Sequence, residues 1–134
     1  MLKQVEESFN KQGFMNHIGA KIITIENGLV KISCRKKDFL TQQNGYFHAG
    51  VITSIADVAC GYAALSTMPK GSDVLSVEFK TNLMRAANTS KIIASGKVIK
   101  LGKRLVFCEA KITDENEEII FATLQGTMIC IQPK

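Results

Sequence analysis

The sequence predicts one α+β domain, in which a curled antiparallel sheet of about six strands wraps around one long central helix. The helix is predicted because residues 49–66 form an apolar, alanine-rich run that is too long for a strand. A hairpin is predicted around Asn27–Gly28, and four alternating segments after Gly71 supply the remaining strands. A sheet curled around the helix explains why the helix is apolar on nearly all sides.

The length and composition of the chain fit a single globular domain, 1–134. Of its 134 residues, 46% are hydrophobic and 22% are charged. No apolar run reaches membrane-spanning length without small or polar interruptions, and residues 1–7 lack the apolar segment of a signal peptide. We therefore expect a cytoplasmic protein with no membrane partner.

The charge and the cysteines limit the classes of ligand. A net charge of +5 fits an anionic small ligand or a nucleic acid, but scattered basic residues and the absence of tryptophan disfavour the nucleic acid. Four cysteines are widely spaced along the chain: Cys34, Cys60, Cys108 and Cys130. With only two histidines beside them, they predict no metal site. Buried free thiols are the favoured interpretation, and a disulfide is the alternative.

The N-terminal third predicts a helix followed by a hairpin. Apolar side chains at helical spacing over residues 2–12 indicate a short amphipathic helix that ends at Gly13. A connecting loop is expected at residues 14–19. The segments 20–26 and 29–34 are predicted as the two strands of the hairpin.

A loop and four strands are predicted around the central helix. Residues 38–47 have loop composition and lead into the helix. The predicted strands are 74–83, 91–101, 105–113 and 119–131. In the first of them, Leu75, Val77, Phe79 and Leu83 are predicted to share one side of the sheet. Gly96, inside the second, indicates either a bulge or a close approach of another backbone.

Asp57 is the one carboxylate of the central helix, and it needs a physical reason. A carboxylate in an apolar helix is costly unless it is paired or hydrogen-bonded. Its face of the helix carries small or weakly polar residues: Gly50, Thr53, Ser54 and Gly61. The other faces carry apolar residues and Tyr62. The stripe leaves space for a ligand beside Asp57; the alternative is that Asp57 bonds a neighbouring backbone or side chain.

The start of the central helix is a second candidate site. The first N–H groups of a helix have no partner within it and lie at the positive end of its dipole, so they can polarise a carbonyl. Ala49 and Gly50 are small enough to let a substrate approach these groups. His48 precedes them and either fixes the loop or bonds the same carbonyl.

The spacing of the two features predicts a dimer. Gly50 and Asp57 lie seven residues apart, which is about 10 Å along a helix. A base must come within about 3 Å of the proton that it removes. If both features are functional, a two-fold dimer with composite sites is the simplest arrangement, because a second helix then lies antiparallel beside the first.

Four segments show a family pattern together with Asp57: 45–50, 76–79, 83–87 and 102–107. They resemble the PaaI-like (phenylacetate-pathway-type) acyl-CoA thioesterases of the hotdog fold, over about residues 15–131. In that family a His-Gly-Gly element opens the central helix, an acidic residue follows nine positions after the histidine, and a strand leads to a Pro-Ala-like turn. This chain departs from the pattern at Ala49, in place of the middle glycine, and at Arg85, Ala86 and Ala87, in place of the turn.

The resemblance implies a homodimer, or a dimer of dimers, that hydrolyses acyl-CoA to a free acid and coenzyme A. It implies that Asp57 is the general base or nucleophile, that Ala49 or Gly50 polarises the thioester carbonyl, and that His48 supports the helix start. It also implies that a loop amide orients the carbonyl or the water and that a strand serine places the water. The matching residues are Gln42, with Gln43 and Asn44 as further candidates, and Ser76.

Substrate contacts are expected around these residues. Coenzyme A phosphates favour a basic rim, for which Lys103, Arg104 and Arg85 are the candidates. Ser54, on the Asp57 face of the helix, and Asn44 are the other candidates for substrate contact. No cofactor is required beyond the coenzyme A moiety of the substrate.

Two other functions stay open at this point. One is a non-catalytic module that binds acyl-CoA for regulation, since a fold does not fix a function. The other is a hydratase that acts on enoyl thioesters. A hydratase needs a histidine near Asp57, and His48 or His17 would reach it only across subunits.

Overall fold

The computed structural model describes residues 2–132, which form two short helices, a central helix and one six-stranded sheet. The helices are α1 (Leu2–Asn10), α2 (Gly13–Ile18) and α3 (Ala49–Leu65). The strands are β1 (Lys21–Glu26), β2 (Leu29–Arg35), β3 (Asp73–Leu83), β4 (Lys91–Leu101), β5 (Leu105–Asp114) and β6 (Ile120–Ile131). One turn of 3-10 helix, Asp38–Leu40, lies in the loop before α3.

The sheet has the strand order β1-β2-β4-β5-β6-β3, and all neighbouring strands are antiparallel. It curls around α3, which contacts β2, β3, β4, β5 and β6. The predicted α+β class, with a curled sheet around one long helix in the hotdog arrangement, is confirmed. Within the part of the chain that the structure describes, no helix has both the length and the apolar character needed to cross a bilayer.

Small residues let α3 lie very close to the sheet. Four alanines of the helix have no exposed surface: Ala56, Ala59, Ala63 and Ala64. A Cβ atom at Gly96 would lie 2.4 Å from the carbonyl carbon and oxygen of Ala59. Gly96 therefore marks a close approach of backbones, and the bulge of β4 lies further along, between Val98 and Lys100. All four cysteines are buried free thiols, as the sequence predicts.

The loop predicted at residues 14–19 is wrong, because Gly13–Ile18 forms α2. Two of its side chains, Met15 and Ile18, are buried in the core. Gly19 ends the helix with φ of 76°, and its N–H donates to the carbonyls of the last turn. Six residues are too few to show helical periodicity, so tertiary burial decides this helix. α1 also ends earlier than predicted.

The predicted face of β3 is also wrong in part. A bulge lies between Ser76 and Glu78, where β3 pairs with β6. Because each residue reverses the side of the sheet, one extra residue moves Ser76 to the side occupied by α3 and leaves Leu75 on the outer side. Val77, at the bulge, is 54% exposed. The bulge therefore separates Leu75 from Phe79, which the alternating pattern had placed on one side.

The close approach at Gly96 generates a stability prediction. We expect Gly96→Ala to lower the free energy of unfolding by about 3 kcal/mol, since the new Cβ atom meets main-chain atoms that cannot rotate away. Gly13→Ala is the matched control. No atom lies within 4 Å of a Cβ there, so its effect should stay within about 1 kcal/mol and favour folding. Urea unfolding measures both, and equal midpoints for the two variants would contradict the packing described above.

Candidate active site

His48 organises the start of α3. Its Nδ1 accepts a hydrogen bond from the Gly50 N–H at 2.7 Å, and its carbonyl accepts from Val51 and Ile52. Since Nδ1 accepts, the proton of the neutral ring lies on Nε2. The Gly50 N–H, one of the two predicted donors to a substrate carbonyl, is thus used inside the protein. The Ala49 N–H has no acceptor among the residues that the structure describes.

Gln42 braces the loop that leads into α3. Its Oε1 accepts from the backbone N–H of Asn44 at 2.6 Å and of Tyr46 at 3.3 Å. Its side-chain nitrogen has no acceptor within the described residues, so it keeps donor capacity for a substrate. Asn44 itself is exposed on the same loop.

The loop, the helix start and the end of β3 surround one cavity of about 440 Å³. It is lined by Gln42, Tyr46, Phe47, His48, Ala49, Ile52, Leu83, Met84, Arg85, Ala86 and Ala87. The turn after β3 is fixed because the N–H groups of Met84 and Arg85 both donate to the carbonyl of Phe121. Of the predicted site residues, the structure therefore brings Gln42, His48, Ala49 and Arg85 together.

Asp57 lies in a second, separate cavity of about 260 Å³. The Ser76 hydroxyl donates to Asp57 Oδ1 at 2.6 Å, and the bulge of β3 is what places Ser76 on this side of the sheet. The lining residues of this cavity are Ser8, Gln12, Asp57, Val58, Gly61, Tyr62, Asp73, Val74, Leu75, Ser76 and Met128. Within one protomer, the carboxylate and the helix start thus occupy different cavities.

The environment of Asp57 suits a base. Burial raises the pKa of its carboxyl from the ordinary value of 3.8, and the hydrogen bond from Ser76 opposes this shift without cancelling it. A carboxylate with a raised pKa binds a proton more readily than an exposed aspartate does. Such a shift in a cavity is typical of catalytic carboxylates.

The other predicted contacts lie at different places. The Ser54 hydroxyl donates to the Gly50 carbonyl at 2.7 Å, so its own helix uses it. Lys103 and Arg104 precede β5, whose first residue aligns through Ile129 with the beginning of β3. They therefore lie at the Asp57 end of the sheet, while Arg85 lies at the opposite end, where β3 finishes. One protomer does not bring the three cations together.

The sequence analysis missed the polar part of the Asp57 cavity. Tyr62 was placed on an apolar face of α3, yet its hydroxyl is bonded by Ser8 and Gln12 and lines this cavity. A tyrosine in a buried helix usually finds a partner for its hydroxyl, which is the signal that was available. Among residues 2–132, no three His, Cys, Asp or Glu side chains lie together in a way that could hold a metal ion.

The sequence profile of the thioesterase superfamily matches residues 44–121, a segment that includes both cavities' central residues, His48 and Asp57. This chain belongs to the thioesterase superfamily. The predicted family and the predicted class of enzyme, a thioester hydrolase, are thereby confirmed.

Known members agree in fold over nearly the whole chain. A thioesterase family protein from Silicibacter pomeroyi is 35% identical, with a TM-score of 0.93 and 97% of each chain covered. The E. coli PaaI protein from the phenylacetic acid degradation operon has the same fold, with a TM-score of 0.90 at 17% identity over 99% of this chain and 94% of its own. The 1,4-dihydroxy-2-naphthoyl-CoA hydrolase of Listeria monocytogenes is 27% identical over 108 residues, which cover 81% of this chain and 88% of that protein.

The raised pKa of Asp57 predicts a cost in stability. Above both its unfolded and its folded pKa the folded protein holds an unfavourably buried charge, so stability falls as pH rises through this window. Asp57→Asn should therefore be more stable at pH 7, by on the order of 1 kcal/mol. The gain should vanish towards pH 3.8, where the carboxyl is protonated in both states.

Thermal unfolding of both proteins between pH 4 and pH 8 measures the difference. Asp73→Asn is the matched control, because it removes the same charge from an exposed side chain. A melting temperature of Asp57→Asn that equals that of the native protein at every pH would contradict the role of burial.

Proposed function

We propose that this thioesterase hydrolyses an acyl-CoA to the free carboxylic acid and coenzyme A, at sites that two protomers build together. The observation that carries the proposal is the separation of two half-sites along α3. Ala49, with its available N–H, and Asp57, with its Ser76 partner, line different cavities. Similarity to the L. monocytogenes protein, whose name specifies a CoA thioester, supports coenzyme A as the thiol.

The edge strand β3 offers the surface for a second protomer. It pairs only with β6 within the described sheet. Its apolar side chains are 42% to 58% exposed: Leu75, Val77, Phe79 and Leu83. A long apolar edge strand favours pairing with another strand. Antiparallel pairing with β3 of a two-fold partner would continue the sheet and cover these side chains.

This pairing would also complete the half-sites. α3 runs antiparallel to β3, because its start shares a cavity with Leu83 while Asp57 bonds Ser76 near the beginning of the strand. A two-fold axis through β3 therefore brings the start of the second α3 towards Asp57. The partner subunit's Ala49 then reaches the bond on which Asp57 acts, which the Ala49 of the same chain cannot do.

The chemistry follows from these groups. The thioester oxygen accepts from the partner's Ala49 N–H, at the positive end of a helix, where the developing negative charge is stabilised. Asp57 removes a proton from a water whose oxygen attacks the carbonyl carbon. The C–S bond then breaks, and the coenzyme A thiolate leaves and takes up a proton. In the alternative route, Asp57 attacks the carbon itself and water hydrolyses the resulting anhydride.

Other residues orient these reactants. The Ser76 hydroxyl holds Oδ1 of Asp57, which leaves Oδ2 for the water. The partner's Gln42 donates from its side-chain nitrogen to the thioester oxygen, beside the helix start. His48 keeps that helix start in place through Gly50. None of these steps requires a metal or a redox cofactor.

The dimer would also gather the cations for coenzyme A. Lys103 and Arg104 lie at the Asp57 end of the sheet, and Arg85 lies at the other end. Antiparallel pairing brings the partner's Arg85 to the Asp57 end, so one composite site gains all three charges. Phosphate groups are bound well by arginine and lysine side chains.

Removal of the carboxylate should remove the activity. We expect Asp57→Ala and Asp57→Asn to lower kcat about 10²- to 10⁴-fold on acyl-CoA substrates, because no other group can take the proton. Asn keeps the size and the acceptor for Ser76, so it separates charge from packing. Release of thiol is followed with a thiol-reactive dye. Equal rates for native protein and Asp57→Ala on every hydrolysed substrate would refute the role of Asp57, and binding without hydrolysis would favour a non-catalytic module.

Mixed dimers test the composite site. When Asp57→Asn and Gln42→Ala chains are unfolded together and refolded, half the dimers are mixed and each carries one intact site, so about a quarter of native activity should return. The matched control mixes native chains with the double variant, Asp57→Asn plus Gln42→Ala, whose mixed dimers have no intact site. If mixing the single variants restores no activity, the site lies within one protomer.

A further inference from the structure

A polar cluster joins the N-terminal helices to the cavity of Asp57. The Tyr62 hydroxyl, on α3, lies 3.0 Å from Ser8 Oγ on α1 and accepts from Gln12 Nε2 at 2.9 Å. These three side chains line the cavity of about 260 Å³ that also contains Asp57. The mechanism proposed above uses none of them.

Docking of the N-terminal helices does not require this cluster. α1 and α2 are anchored by apolar side chains that are buried or nearly so: Val5, Phe9, Met15 and Ile18. The Phe9 ring already meets the Tyr62 ring edge to face at 5.9 Å. A phenylalanine at position 62 would satisfy that packing, so the hydroxyl and its two polar neighbours need another reason.

The cluster keeps unused hydrogen-bonding capacity. A hydroxyl offers one donor and two acceptor positions, and a glutamine side chain offers two donors and a carbonyl oxygen. The two bonds within the cluster leave the Gln12 oxygen and part of the capacity of Ser8 and Tyr62 available. The opposite walls of the cavity are apolar, with Val58 and Met128 among them. The cavity thus combines apolar walls with one polar end.

Its size and length fit a ring-sized group. A cavity of roughly 150 Å³ can hold benzene, so the observed volume has room for an aromatic ring with substituents. Asp57 and Tyr62 are five residues apart, or about 7.5 Å along the helix, which one substituted ring can span.

We propose that this cavity binds the acyl group and that Tyr62, Ser8 and Gln12 select acyl groups with a hydroxyl or a similar polar group at their far end. Hydroxylated aromatic acyl thioesters are the substrate class that fits. The selection rests on the proposed hydrolysis for its physiological meaning, but its chemistry is that of binding. A site that offers hydrogen bonds to a substrate hydroxyl discriminates against the analogue that lacks it.

The experiment compares benzoyl-CoA with its ring-hydroxylated derivative. We expect native protein to prefer the hydroxylated thioester, and Tyr62→Phe to lower the ratio of the two kcat/KM values about five- to tenfold, mainly through loss on the hydroxylated substrate. Gln12→Leu should lower the same ratio. Glu7→Gln, at an exposed neighbour of Ser8 on α1, is the matched control and should leave the ratio unchanged.

Binding of the same two thioesters to the Asp57→Asn protein, with and without Tyr62→Phe, is measured by calorimetry. This readout needs no turnover, so it separates the two proposals. Hydrolysis of both thioesters at similar kcat/KM, with a ratio that Tyr62→Phe does not move, overturns the selection and leaves the proposed function standing. Absence of hydrolysis by native protein overturns the function, and equal affinities for the two thioesters then overturn the selection as well.

Discussion

The close packing of α3 against the sheet is the constraint on which the rest of the structure depends. At Gly96 the two backbones approach so closely that a methyl group would not fit. Small residues on the helix and strands from both sides of the sheet remove α3 from water. Any polar group on this helix must therefore find a partner, and the few that it carries acquire functional roles or hydrogen bonds.

Asp57 shows the consequence of this burial most clearly. The same desolvation that weakens the fold raises the pKa of the carboxyl and makes it a better proton acceptor. Ser76 limits the cost by donating to one oxygen. A stability cost at a catalytic group is a common exchange in enzymes, and here its physical origin is the apolar surroundings of one helix.

The edge strand β3 links the site to assembly. Its bulge turns Ser76 towards Asp57, while its exposed apolar side chains provide the surface that a second protomer would cover. One strand thus places a catalytic partner and offers the dimer contact. The polar cluster around Tyr62 closes the same cavity from the other side, so elements distant in sequence meet around one carboxylate.

The sequence by itself determined the fold class, the long helix, the hairpin and the four later strands, because periodicity and turn residues are local signals. It also determined that Asp57 and the helix start are too far apart for one bond, because helical rise is fixed. Only the tertiary structure decided α2, whose six residues are held by burial of Met15 and Ile18. It alone placed Ser76 beside Asp57 through a bulge and joined Tyr62 to Ser8 and Gln12. Contacts across 19 to 54 residues of sequence arise from packing, and packing leaves no local pattern.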